Sequence, residues 1–182
     1  MNKKSRNSAF TLIEMMIVIA IISIAVSIAI PNIIDWLPEQ RLKSATRDLI
    51  SSMQEAKLQA IKENGTVTLV FDPSGTPPNY FFDTKASYDA WQAGEKRVDL
   101  ADYKSGIDFG SGGAANDWNT TPKSIDDYVT FTSDKVGFTS RGFGTSGTVF
   151  LHNKNNDICF AITVLTTGSI KLRKYNGATW TD

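Results

Sequence analysis

The sequence predicts an α+β fold in which one long amino-terminal helix packs on an antiparallel β-sheet domain. Residues 10–30 are almost continuously apolar, and from residue 42 to residue 60 apolar residues recur every three or four positions, as in a helix with one buried face. After Gly65 the period changes to two, which is typical of strands. The 182 residues, 41% of them hydrophobic and 21% charged, suit one modest domain with an additional element.

Residues 1–9 form a basic leader. Lys3, Lys4 and Arg6 lie in it and no acidic residue does, which places the leader in the cytoplasm and the residues after the apolar run outside it. The whole chain carries 19 Lys and Arg against 19 Asp and Glu, so it lacks the global basic charge of many nucleic-acid-binding proteins. Removal of the leader leaves 16 basic against 19 acidic side chains, and the product is mildly acidic.

Residues 10–30 are predicted to be a transmembrane helix. Only four of these 21 residues are polar, and at ~1.5 Å per residue the helix reaches about 30 Å, the hydrocarbon thickness of a bilayer. The alternative is a cleaved secretory signal, in which an apolar region of ~7–15 residues precedes a small-residue cleavage site. Here the apolar run is longer and the small residue, Ala9, comes before it. We therefore expect a single-pass membrane protein with a cytoplasmic amino terminus.

Glu14 is the one ionisable side chain in the apolar run. An ionised carboxylate inside a membrane costs several kcal/mol unless it finds a partner, so charges in such segments usually mark a function. A simpler alternative is that Glu14 lies at the level of the lipid headgroups. Both interpretations remain open from the composition of the segment alone.

The run from Ala9 to Glu14, AFTLIE, resembles the class III signal peptide of type IV pilins and pseudopilins. The resemblance implies that a prepilin peptidase cuts between Ala9 and Phe10 and methylates the new amino terminus of Phe10. Glu14 is then the fifth residue of the mature chain, and Pro31 is the twenty-second, where pilin helices often carry a kinking proline. Ala9 departs from the family pattern, which usually has glycine before the cut.

The same resemblance implies a set of partners and a role for Glu14. Cleavage creates an amine at the membrane-embedded end of one subunit, and the Glu14 carboxylate of a neighbour can pair with it, which removes two unpaired charges together. The expected partners are other pilins or pseudopilins, the prepilin peptidase, an inner-membrane assembly platform, and membrane lipid before assembly. The protein is then expected in the inner membrane first and in a periplasmic or surface filament later.

Residues 31–64 are predicted to continue the helix as an amphipathic segment. Pro31 and Pro38 bracket a stretch in which the helix kinks or locally unwinds, because each proline removes one backbone donor. The Asn64-Gly65 pair ends the helix. The predicted buried stripe comprises residues three or four positions apart: Leu42, Ala45, Leu49, Met53, Ala56 and Ala60.

Residues 65–182 are predicted to form a β-rich periplasmic domain. Alternating apolar residues and turn signals place strands at residues 67–71, 80–83, 128–132, 148–152, 158–165 and 169–175. The strand at 158–165 is apolar on both faces except at Thr163, so we expect it in the centre of its sheet. Residues 73–124 are predicted to be an irregular excursion.

Gly142, Gly144 and Gly147 match the dinucleotide-binding spacing, but a strand follows where that motif needs a helix, so a turn is favoured.

The segment from residue 128 to residue 175 resembles the carboxyl-terminal part of the GspH/FimT pseudopilin family. The matching pieces are VTFT from Val129, FTSRG from Phe138, GTVFL from Gly147 and TGSIKL from Thr167. The resemblance implies the type IV pilin-like fold and a minor subunit of a type II secretion pseudopilus or a type IV pilus. An alternative is a FimT-like subunit that binds DNA during uptake, through Lys171, Arg173 and Lys174.

An enzyme is not expected. The chain has one cysteine, Cys159, and one histidine, His152, so a cysteine-based zinc site is excluded and a nucleophile, a base and an orienting group are difficult to assemble. No cofactor and no metal are predicted. Cys159 is expected to act as a small buried hydrophobic residue.

Overall fold

The computed structural model describes residues 10–83, 91–104, 106–118, 124–154 and 158–181, without the side chains of residues 29–35. The chain divides into two compact units, Met1–Leu37 and Pro38–Asp182. One helix, α1, runs from Leu12 to Lys62 and contributes to both. The predicted helix at residues 10–64 is therefore confirmed to within two residues at each end, and its backbone is helical through Pro31 and Pro38.

The first unit consists of the amino-terminal part of α1. Ser23 and Ser27 form hydrogen bonds within the helix, since the Ser23 hydroxyl donates to the carbonyl of Ile19 and the Ser27 hydroxyl to that of Ser23, both at 2.8 Å. Such bonds to the preceding turn leave no unpaired hydroxyl on an apolar surface. Among the described residues, no helix combines the length and the apolar character that crossing a membrane requires.

In the second unit α1 lies with one face in the core. All six residues of the predicted stripe are at most 1% exposed, so the period of three to four correctly identified the buried face. The helix ends at a left-handed Asn64, with φ of 49°, and the amide of Gly65 donates to the carbonyl of Ala60 at 3.0 Å. This arrangement satisfies a carbonyl that the last helical turn leaves open.

In the described residues, nine strands form two sheets, and every strand pair within them is antiparallel. The first sheet has the order β3-β2-β1-β5 and the second the order β4-β6-β7-β8-β9. The strands are β1 Val67–Asp72, β2 Asn79–Asp83, β3 Arg97–Asp99, β4 Ile107–Phe109, β5 Lys135–Phe138, β6 Gly147–Asn153, β7 Ile158–Val164, β8 Ile170–Asn176 and β9 Trp180–Thr181. Two short 3-10 helices, Leu100–Tyr103 and Thr132–Asp134, connect them. The main core lies between α1 and the inner faces of both sheets.

The predicted strand at residues 128–132 is wrong. Tyr128 and Thr130 each make one backbone hydrogen bond to β6 at 2.9 Å, but the pairing is limited to a single bridge between Val129 and Val149. The rest of that edge of β6 is taken by β4, whose Phe109 stands opposite Leu151. The chain therefore leaves the second sheet and crosses to β5 in the first.

The other strand predictions are confirmed, and β7 is central in its sheet because it pairs with both β6 and β8. Cys159 in β7 is fully buried, as expected.

The glycine-rich segment forms a turn, in which the Thr139 amide donates to the carbonyl of Phe143 at 2.9 Å. Gly147 then begins β6 directly, so the dinucleotide motif lacks its helix.

Candidate functional site

The amino-terminal end of α1 is closed by a side-chain cap. The Glu14 amide donates to the Thr11 hydroxyl oxygen at 3.2 Å, and the Met15 amide donates to the Thr11 carbonyl at 3.3 Å. Thr11 is thus the N-cap residue and Glu14 the third residue of the helix, the positions of a capping box. This cap was not predicted, although its signal, the pattern Thr-x-x-Glu, is present in the sequence.

From Leu12 to Ile28 the surface of α1 is apolar around the helix, apart from Glu14, Ser23 and Ser27. Its large apolar side chains are between 43% and 78% exposed in the single chain. They are Phe10, Leu12, Ile13, Met15, Met16, Ile17, Val18, Ile19, Ile21, Ile22, Ile24, Val26 and Ile28. A helix that is apolar on every side is stable only where other apolar groups surround it. This surface is the strongest functional signal in the first unit.

The predicted processing and assembly residues are placed as follows. Ala9 lies outside the described residues. Phe10 precedes the helix and is 73% exposed, and Glu14 is exposed in the first turn. Pro31 lies within α1, and its side chain is outside the description. Cleavage at Ala9–Phe10, methylation of Phe10, pairing of Glu14 and a kink at Pro31 all stay predictions.

Polar contacts attach α1 to both sheets within the second unit. On one side the Lys174 ammonium of β8 pairs with Glu39, and the Lys57 ammonium donates to the carbonyl of Gly168 at 2.9 Å. On the other side the Tyr103 hydroxyl donates to Asp48 at 2.8 Å, and Lys96 of the chain before β3 pairs with Glu55. These contacts therefore attach α1 to both sheets, in addition to its packing in the core.

The three cations of the predicted DNA contact do not share one surface. Successive residues of a strand point to opposite faces, and Lys174 lies on the face of β8 that meets α1. Arg173 lies on the other face, with its guanidinium 5.2 Å from the ring centre of Trp118. Lys171 shares that outer face and is exposed. Only Lys171 and Arg173 are thus on the same side of the sheet.

His152 and Cys159, the one histidine and the one cysteine of the sequence, stand opposite each other on β6 and β7. Burial raises the pKa of the Cys159 thiol to about 12, and the thiol donates weakly to the carbonyl of Gly110 at 3.5 Å. Burial also lowers the pKa of His152, with a further contribution from Lys154, while Asp108 raises it. The thiol is protonated at neutral pH, so the pair is not an activated nucleophile.

No group of three His, Cys, Asp or Glu side chains in the described parts of the chain could hold a metal ion. Tyr80 and Tyr103 line the junction of α1 with the first sheet, and burial raises the pKa of both hydroxyls. They remain neutral hydrogen-bonding groups at physiological pH. These residues stabilise the junction and do not form a reactive site.

Comparison with known proteins gives two family matches and one relative. The profile of the family described as Type II transport protein GspH matches residues 45–168, and that of the prokaryotic N-terminal methylation motif matches residues 4–30. A fimbrial protein from Pseudomonas aeruginosa is 32% identical over 97 residues, which are 53% of this chain and 61% of that protein. The chain thus spans about three fifths of that relative's length. No solved structure matches the chain.

Proposed function

Because the chain belongs to the type II transport protein GspH family, we propose that it is a minor subunit of a type II secretion pseudopilus or a type IV pilus. The methylation motif at residues 4–30 and the similarity to a fimbrial protein make it a pilin-like protein. Our proposal extends this to a low-abundance subunit near the start or the tip of the filament.

The observation that carries the proposal is the apolar surface of α1 between Phe10 and Ile28. Every large apolar side chain there is at least 43% exposed in the single chain. Burial of apolar surface away from water is worth about 25 cal/mol per Å², and both membrane lipid and the similar helices of neighbouring subunits would supply such burial. The second unit carries its own buried core and needs no such partner.

We propose that a prepilin peptidase removes residues 1–9 and methylates Phe10. The Glu14 carboxylate of one subunit then pairs with the new amine of its neighbour inside the apolar bundle. Glu14 lies in the first turn of α1, where the helix dipole favours a negative charge. An unpaired charge in apolar surroundings is energetically unfavourable. The pairing therefore favours the addition of a subunit, because it neutralises both charges.

Before assembly, residues 10–30 lie in the lipid of the inner membrane, with the leader in the cytoplasm and the second unit in the periplasm. The basic leader, the exposed apolar side chains and the methylation motif support this proposal. The peptidase and an inner-membrane assembly platform are the partners of this stage. We propose no enzymatic activity.

The experiment compares Glu14→Ala and Glu14→Gln with the control Glu63→Gln, which removes an exposed carboxylate at the other end of the helix. Mass spectrometry of the mature amino terminus measures processing, and the amount of subunit in sheared filaments measures incorporation. We expect cleavage before Phe10 in all variants and loss of incorporation only in the two Glu14 variants. Normal incorporation of both would reject the pairing, and another mature amino terminus would reject the cleavage site.

A second proposal is DNA binding during uptake. It rests on Lys171 and Arg173, which share the outer face of β8. Full-length protein in detergent would then bind duplex DNA with an affinity that falls as salt rises, and changing both residues to Ala would remove the binding. Absence of binding at low salt would reject this function and leave the filament proposal intact.

A further inference from the structure

Two Asn-Gly pairs occur in the sequence, Asn64-Gly65 and Asn176-Gly177. Glycine has no side chain to shield its own backbone amide, so in such a pair the glycine nitrogen can attack the side-chain carbonyl carbon of the asparagine. The first pair follows the end of α1, and the second lies at the turn between β8 and β9. The two glycine amides have different surroundings in the fold, so we expect the two pairs to differ in reactivity.

At the first pair the attacking nitrogen is engaged by the end of the helix. The Gly65 amide donates to the carbonyl of Ala60 at 3.0 Å. This hydrogen bond must break before the nitrogen can lose its proton, and a broken bond has a cost in free energy. Ala60 is fully buried in the main core, so loosening of the helix end would also disturb the packing of α1. The fold therefore protects Asn64.

At the second pair the attacking nitrogen is accessible. Within the described part of the chain, the Gly177 amide makes no hydrogen bond. Asn176, Gly177 and the two residues that follow them are all exposed. Water and hydroxide therefore reach this amide without any opening of the core.

The side-chain carbonyl of Asn176 is polarised by the same turn. Its Oδ1 atom accepts hydrogen bonds from the amide of Ala178 at 3.1 Å and from the amide of Thr179 at 2.9 Å. Donors on a carbonyl oxygen stabilise the negative charge that develops there when a nucleophile attacks the carbon. The second pair thus combines an activated carbonyl with an accessible amide nitrogen.

We propose that Asn176 is a site of spontaneous deamidation, which converts it to aspartate and isoaspartate. The Gly177 nitrogen loses its proton to hydroxide and forms a bond with the side-chain carbonyl carbon of Asn176. The bond from that carbon to Nδ2 breaks, and ammonia leaves with a proton taken from water, which restores the hydroxide. Water then opens the resulting succinimide ring at either carbonyl. Opening at one carbonyl gives aspartate, and opening at the other gives isoaspartate.

The conversion would change the end of the second sheet. The edge strand β9 has only two residues, and the Asn176 amide closes its hairpin by donating to the carbonyl of Thr179 at 3.2 Å. Isoaspartate adds one carbon to the backbone at this point, which alters the geometry of the turn. Trp180 of β9 packs on Trp118, with ring centres 5.1 Å apart, so we expect the Trp180 indole to become more exposed.

The test compares the two pairs in the folded and in the unfolded chain. Full-length protein is incubated in mildly alkaline buffer, in detergent or in guanidinium chloride, and peptide mapping by mass spectrometry measures the rate of conversion at Asn64 and at Asn176. In the folded protein we expect Asn176 to react about tenfold faster than Asn64, because only the Gly65 amide must first give up a hydrogen bond. Protection is the ratio of the unfolded rate to the folded rate. Protection of Asn176 equal to or greater than that of Asn64 would overturn the proposal.

Asn176→Gln is the matched variant, because its longer side chain forms the corresponding ring much more slowly. It should abolish the mass change in this peptide and leave the conversion of Asn64 as it was. Incubation should shift the tryptophan fluorescence of the unchanged protein towards that of an exposed indole, and should not shift that of the variant. A mass change that persists in the variant would overturn the assignment to Asn176, and equal fluorescence shifts would overturn the expected exposure of Trp180.

Discussion

Gly168 approaches Gly142 so closely that a β-carbon on Gly168 would overlap the carbonyl oxygen of Gly142. The turn between β7 and β8 meets the turn that follows β5 at this point, and the Lys57 ammonium of α1 bonds to the Gly168 carbonyl. Both glycines have left-handed backbones, with φ of 72° and 78°. The two sheets and the helix are thus joined at a contact that only glycine can make.

Gly168→Ala should destabilise the protein more than a matched glycine substitution. Gly106 has a similar φ of 67°, but a β-carbon there would make only an ordinary contact of 3.5 Å with Lys154. Left-handed strain costs each variant about 1–2 kcal/mol, and overpacking adds about 1–3 kcal/mol at Gly168 alone. Urea unfolding of the full chain in detergent measures the difference. Equal losses in the two variants would show that the close approach is absent.

The Glu39–Lys174 pair should contribute modestly to stability. Its side chains are 30% and 34% exposed, so solvent screens the interaction, and a double-mutant cycle with Glu39→Gln and Lys174→Met should give a coupling of about 1 kcal/mol or less. The coupling should decrease at high salt. Lys171→Met on the opposite face is the control and should show no coupling to Glu39. A zero coupling for Lys174 as well would show that the pair does not stabilise the folded protein.

His152 should make stability depend on pH between 5 and 7. Burial lowers its pKa from the ordinary value of 6.5, with Lys154 adding to the effect and Asp108 opposing it. The unfolded chain therefore binds a proton more readily than the folded chain, and stability falls as pH drops below about 6.5. His152→Gln should remove the contribution of this histidine to the dependence of stability on pH. Since the chain has one histidine, identical slopes in the two proteins would refute the assignment.

Long periodic segments of the fold were predictable from the sequence, because many residues in each segment indicate which face is buried. The stripe from Leu42 to Ala60 repeats over five turns, and all of its members are buried. Strands β3, β4 and β9 have only three, three and two residues, too few for an alternation to be seen. The prediction at residues 128–132 failed for another reason, because β4 competes for the same edge of β6.

The candidate sites also differ in how far they could be predicted from the sequence. Phe10 and Glu14 lie within one short motif, and their roles in processing and assembly stay predictions, while the Thr11 cap was readable three residues before Glu14. The separation of Lys174 from Lys171 and Arg173 also follows from strand alternation. The pairing of Val70 with Lys135 could not be predicted, because β1 and β5 are distant in the sequence.

The polar contacts of α1 are distributed along its axis, from Glu39 to Lys57, over about 27 Å at ~1.5 Å per residue. A pulling force on the amino-terminal end of the helix would therefore act on the contacts in parallel, as shear, and would not open them one after another. Bonds loaded in parallel share the force. If the proposed filament subunit is drawn by its amino-terminal helix, these contacts would keep its β domain attached under tension.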